Sequence, residues 1–204
     1  MSTPTLFDTA APSTTPAVLE AAGPRPRLYR VAGLDISLTG TGISTLGGTT
    51  RVPTTGRRRD TLLERHARMR HITSRVLEEV GAVDLACVEG PVSYQTPGGS
   101  TWDRGGLWWR IVAALLERDI PVAVIPPTSR AKYATGSGAS RKTAVLEAAR
   151  SRYGAILETD DEADALVLRA MGLHWLEQPL AEVPDGHRAA LAGCQWPELE
   201  AVTR

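Results

Sequence analysis

The stretch RLYRVAGLDI, residues 27 to 36, is an apolar run that closes on Asp35 or Ile36. It reads as a buried strand. GISTLGGTTRVPTT follows, with Gly47 and Gly48 between two short β-rich pieces, a pattern for two strands joined by a tight turn. A helix is expected over roughly residues 61 to 80, with Asp60 as its cap. There Met69, Ile72, Val76 and Val80 recur at helical spacing, and Gly81 ends it. VDLACVE is a second buried strand, ending at Glu89. GPVSYQTPGGSTWD holds five Gly and Pro residues and reads as a loop. GLWWRIVAALLERD is an apolar helix. IPVAVIPP is a strand stopped by Pro126 and Pro127. SRKTAVLEAARSRYG and DEADALVLRAMGLHWLE are two further helices.

This order, β-β-β-α-β-α-β-α-α, predicts an α/β protein. The first three strands are antiparallel, and the later ones join the sheet through helical crossovers. Residues 1–26 are rich in Pro, Ser, Thr and Ala and are expected to be a mobile tail. The ordered domain is placed at residues 27–178. Residues 179–204, Pro-interrupted and weakly patterned, form an extension.

Composition narrows the function classes. The 204 residues are 42% hydrophobic and 23% charged, with a formal net charge of zero. That suits a globular domain, and no global positive field announces nucleic acid, so any polyanion site must come from local clustering. No apolar run is long enough to span a membrane, and the N-terminal residues lack a basic stretch followed by an apolar one, so neither an anchor nor a secretory signal is expected. Cys87 and Cys194 lie far apart. With no disulfide framework and no zinc spacing to the histidines, a reducing cytoplasm is the expected location.

The chemistry is in the acids. Asp35 and Glu89 each end an apolar strand, at the sheet edge where ligands bind in open α/β sheets. Asp161 and Asp164 are three apart at the start of the last helix, on one face. Helix-dipole preference and a capping box from Thr159 to Glu162 account for part of this acidity without any function. They leave Asp164 unexplained, because it faces the apolar side. Several uncompensated carboxylates at one edge repel, and hard divalent cations resolve that repulsion. A basic segment lies nearby. Ser140 is expected to cap the helix carrying Arg141 and Lys142, and with Lys132 these form a candidate phosphate site. Arg104 is a further candidate. The arginines at 57 to 59 read as a solvated turn that could touch a distal arm of DNA. Of Trp108 and Trp109, one is expected in the core and the other at a dimer interface.

Taken with their order and spacing, these motifs resemble a known family. GLDISLTGTG, CVEGP, KYATGSGASRK and DEADAL resemble the successive motifs of RuvC-like Holliday junction resolvases, over about residues 28 to 176. GGSTWDRGGLWW and IPPTSRAKYATGSG look most like the type found in actinobacteria and their phages. The resemblance implies an RNase H-like fold with a mixed five-stranded sheet, three antiparallel strands then two parallel ones, flanked by helices. It implies catalytic and metal-ligating roles for Asp35, Glu89, Asp161 and Asp164, with Asp35 bridging two Mg2+ ions, for which Mn2+ substitutes. It implies hydrolysis of a DNA phosphodiester to a 5′-phosphate and a 3′-hydroxyl by a homodimer acting on a four-way junction. The chain departs from the family after Glu89, where Tyr94 and Trp102 are the nearest aromatics. They are candidates either for stacking on unpaired bases or for anchoring the loop. Nucleases of the same fold acting on flaps or forks, and a non-catalytic junction binder, are the competing readings. An actin-like kinase is set aside because no second nucleotide-binding half is present.

Overall fold

The computed structural model describes residues 27–91 and 100–198. The expected N-terminal tail and Tyr94 lie outside the described residues. Five strands form one sheet: β1 (Val31–Asp35), β2 (Gly40–Thr45), β3 (Gly48–Pro53), β4 (Leu85–Glu89) and β5 (Val122–Ile125). Their order across the sheet is β3-β2-β1-β4-β5. β1, β2 and β3 pair antiparallel, and β4 and β5 join in parallel. The mixed sheet expected from the sequence is therefore present. The β2–β3 hairpin turns at Gly47 and Gly48, the latter at φ +130°, which a side chain would resist.

The helices are α1 (Leu62–Val80), α2 (Ser100–Leu116), α3 (Pro127–Thr135), α4 (Lys142–Tyr153), α5 (Asp160–Trp175) and the short α6 (Asp185–Arg188), followed by a 3-10 turn at Ala189–Gly193. Strand alternation divides the core into two layers. Ala32, Leu34, Ala86 and Val88 face α1 and α2, against Ile72, Val76, Leu107 and Ile111. Val31, Leu85, Cys87, Ala123 and Ile125 face α3, α4 and α5. Cys87 is fully buried and acts as a small apolar side chain.

At Gly33 and Gly42 the main chain of α5 lies directly against the sheet. A Cβ on Gly33 would sit 2.1 Å from the Ala165 carbonyl oxygen, and one on Gly42 would sit 2.0 Å from that of Asp161. Both contacts are backbone, so only glycine fits at these positions of β1 and β2.

Four local expectations are corrected. Thr61, not Asp60, caps α1, in a capping box with Glu64. Asp60 instead accepts the Arg57 N–H at 2.8 Å and pairs with Arg68 at 3.8 Å, closing the loop before the helix. Ser140 does not cap α4. Its hydroxyl is shared with Thr135 at 2.7 Å, and the cap position falls on Arg141, which offers no side-chain bond. α2 begins at Ser100, inside the stretch read as loop. Its first turn is pinned by Asp103, which accepts the Arg65 Nε of α1 at 2.8 Å. α3 has no counterpart among the expected helices. It starts on Pro127, whose fixed φ suits a first helical position, although the Pro pair reads as a stop.

The C-terminal segment folds back on this body. Gln195 exchanges two 2.9 Å hydrogen bonds with Val124 on the outer edge of β5. Trp196 stacks on Trp175 with ring centroids 4.7 Å apart. Among the described residues, no helix is long and apolar enough to cross a membrane.

Candidate functional site

The alternation that buries Val31 and Leu85 against α5 also turns Asp35 and Glu89 to that face, at the C-terminal ends of adjacent parallel strands. α5 brings Asp161 and Asp164 to the same edge. Its capping box uses Thr159 and Glu162, which leaves Asp161 and Asp164 free to point elsewhere. All four carboxylates line one cleft of about 1020 Å³.

Their environments differ. Asp35 is 7% exposed, and its carboxylate accepts no hydrogen bond among the described residues. Burial, and then the negative charge of Glu89 and Asp164, hold its carboxyl well above the usual carboxylate range. Asp164 is 1% exposed and pairs with the Arg130 Nη1. Burial pushes it up to about 7, against the pull of Arg130. Glu89 accepts the Arg130 Nε at 2.6 Å, and its carbonyl oxygen accepts the Trp108 indole N–H at 2.8 Å, which fixes the strand end. Asp161 accepts the Arg51 Nε at 2.7 Å, and Arg51 also reaches the Thr39 carbonyl at 3.3 Å. That pair lies over Gly40, where a Cβ would come within 2.2 Å of both side chains.

Arg130 is 6% exposed, on the first turns of α3. Burial works against its charge, but Glu89 and Asp164 outweigh that and hold the guanidinium above its ordinary value. A rim of further cations surrounds the acids: Arg57, Arg58, Arg68, Arg104 and Lys142 line the same cleft. Asp60 and Asp103 line the cleft as well, paired with Arg68 and Arg65, so acids and cations are closely interleaved there.

The donor set is all carboxylate oxygen, the chemistry a hard divalent cation takes. Asp35, buried, with a carboxylate that accepts no hydrogen bond among the described residues and stands beside like charges, is the group such an ion would satisfy. Among the described residues no three His, Cys, Asp or Glu side chains are drawn together as a ready metal cage. The Arg130 guanidinium stands between Glu89 and Asp164 and pairs with both.

Of the other residues singled out from sequence, Arg104 and Lys142 line the cleft, and Lys142 holds Asp160 at 2.7 Å. Lys132, Arg141 and Trp102 do not line it. Lys132 is half-buried on α3, Arg141 is exposed before α4, and Trp102 is 85% exposed on the first turn of α2. Sequence reasoning missed Arg51 and Arg130. Arg51 alternates with inward residues on an edge strand, and Arg130 sits on α3, the helix that no apolar stripe announces.

No family model and no curated protein matches the sequence. Solved structures do match in fold. A Thermus thermophilus RuvC structure aligns at a TM-score of 0.57 and 21% identity, over 76% of this chain and 99% of that one. T. thermophilus RuvC in complex with Holliday junction substrate aligns at 0.61 and 20%, over 77% of this chain and all of the other. With its strand order and flanking helices, the chain has the RuvC-like form of the RNase H-like fold.

Proposed function

We propose that the chain is a divalent-metal-dependent endonuclease that cuts branched DNA, with the four-way junction as its substrate. The observation that carries this is the pairing of a buried carboxylate cluster with an arginine-rich rim in one cleft. The fold likeness to a RuvC solved with a Holliday junction supports the choice of substrate. Asp35, Glu89, Asp161 and Asp164 would hold Mg2+, or Mn2+ in its place. The ion supplies charge stabilisation for the phosphoryl centre and activation of the attacking water. Arg57, Arg58, Arg104 and Lys142 bind backbone phosphates and set where the scissile bond enters. Lys132 and Arg141 extend this contact along the DNA, and Tyr94 and Trp102 are offered to unpaired bases. Arg51 keeps Asp161 facing the cleft.

The unit responsible is residues 27–178, and 179–204 is an extension whose described part, up to residue 198, packs on it. A homodimer in the cytoplasm, related to the actinobacterial and phage type, completes the proposal. α2 favours a second copy: Trp109 and Leu116 lie seven residues apart and are 64% and 52% exposed. Sedimentation of the purified chain is expected to give a dimer, and a monomer across the micromolar range would refute that part.

The centre would serve a flap or fork equally well, because the acids do not read DNA shape. One panel therefore tests the whole reading: a synthetic four-way junction, flap, fork and linear duplex, each with Mg2+ or Mn2+. The junction should be cut. Asp35→Asn or Asp164→Asn should lower cutting by roughly 1000-fold or more, the worth of several kcal/mol of metal-borne stabilisation. Junction binding should persist. No cleavage of any branched DNA in either metal would overturn the enzyme reading.

A further inference from the structure

Arg130 occupies an unusual place for an arginine. It is 6% exposed, and its guanidinium is shared between Glu89 and Asp164, two of the four acids in the cleft. It is not a long surface side chain that has swung inward. It stands on α3, whose start is set by Pro127, and its own N–H bonds the Pro126 carbonyl at 3.0 Å. The segment that places it directly follows β5, so its position is tied to the sheet.

Charge counting gives this arrangement a consequence. Asp35, Glu89, Asp161 and Asp164 bring four negative charges to the centre; Asp60 and Asp103 also line the cleft, but each is already paired, with Arg68 and Arg65. Arg51 is paired with Asp161, and Arg130 with Glu89 and Asp164, so two positive charges are already in place. The remainder is two negative charges, which one divalent ion neutralises. Lys142 also lines the cleft, but it is engaged by Asp160. Two divalent ions would leave the buried centre with two excess positive charges, in surroundings where uncompensated charge is expensive.

We infer that Arg130 is a resident cation of the centre, standing where a second divalent ion would otherwise sit, so that the chain takes a single divalent ion, on Asp35 and the oxygens beside it. This rests on the nuclease reading above. Arg130 is then a positioning residue: it holds Glu89 and Asp164 in place before any ion arrives, and it keeps the metal-free centre from repelling itself apart.

The test counts ions rather than turnover. Free Mn2+ is measured by electron paramagnetic resonance during titration into the purified full chain, at an ionic strength held constant with NaCl. The wild type should take up a single tight Mn2+ per chain. Arg130→Met, which keeps length but removes charge, should take up a second. Arg130→Lys should remain at one. In metal-free buffer the Arg130→Met melting temperature should fall below that of the wild type, and Mn2+ should raise it by more than it raises the wild type. Two tight ions on the wild type would overturn the inference whatever the variants do, and so would a single ion on folded Arg130→Met. The wild-type count decides even if that variant does not fold. The outcomes also separate the two readings. Two ions with junction cleavage intact would remove only this inference, whereas no Mn2+ uptake and no cleavage would remove the nuclease reading beneath it.

Discussion

Asp161 and Asp164 share a helical turn but little else. Asp164 is sealed in contact with Arg130, while Asp161 sits nearer the surface and is held by Arg51. In the proposed centre Arg51 would act through Asp161, which it holds at 2.7 Å, rather than on DNA. Residues of this kind typically change metal affinity or activity by about 10–100-fold when removed. Arg51→Ala is accordingly expected to lower cleavage within that range. The melting temperature should hardly move, because the pair is partly open to solvent. A variant that cleaves at the wild-type rate would show that Asp161 needs no orienting partner. At this scale the sequence is half legible. The acids announce themselves by position, at strand ends and in a first helical turn. Their arginines do not, because Arg51 lies 110 residues from Asp161 and Arg130 lies 41 from Glu89. No local pattern records such a pairing.

The elements that carry the site are joined by similar long-range pairs. α1 and α2 are tied by Arg65 and Asp103, whose bidentate contact holds the first turn of α2 at the mouth of the cleft. The Arg65 hydrogen bond holds the Asp103 carboxyl below its ordinary 3.8. A depressed carboxylate contributes stability that is present above 3.8 and lost as pH falls through its lower folded value. Asp103→Asn should therefore lower the melting temperature at neutral pH, and the gap to the wild type should close as the pH is taken below 3.8. A gap of constant size across that window would mean the pair acts by shape rather than charge. Element types and order are largely legible in the sequence, since apolar period and strand length are local. Caps and boundaries are less so. Asp60 and Thr61 are both good caps on paper, and the choice is made by Glu64 reaching back to Thr61. α3 is hidden because TSRAKY has no helical apolar stripe. Burial by the C-terminal segment and α5 makes it a helix, and that is tertiary information.

For the whole molecule, the cationic rim predicts how DNA is held. Arg57 and Arg58 sit on the loop before α1 and line the cleft. If they meet backbone phosphates, replacing both with alanine should weaken junction binding at all sequences. It should also flatten the salt dependence of log K, by roughly one unit of slope for each phosphate that is no longer neutralised. Junction titrations at several NaCl concentrations would read this, and an unchanged slope would return these residues to a solvated turn. The mixed sheet and the edge bearing the acids follow from element order, and the five-stranded arrangement from the family resemblance. The spacing between that edge and α5 does not, and it depends on Gly33 and Gly42. There the strand bearing Asp35 and the helix bearing Asp161 and Asp164 touch main chain to main chain. Such a spacer has no rotamers to repopulate on warming and no methyl groups to compress. Thermal agitation cannot widen the gap gradually. It can only break the seam when sheet and helix part, so the geometry of the acids should hold up to the melting point and fail with it.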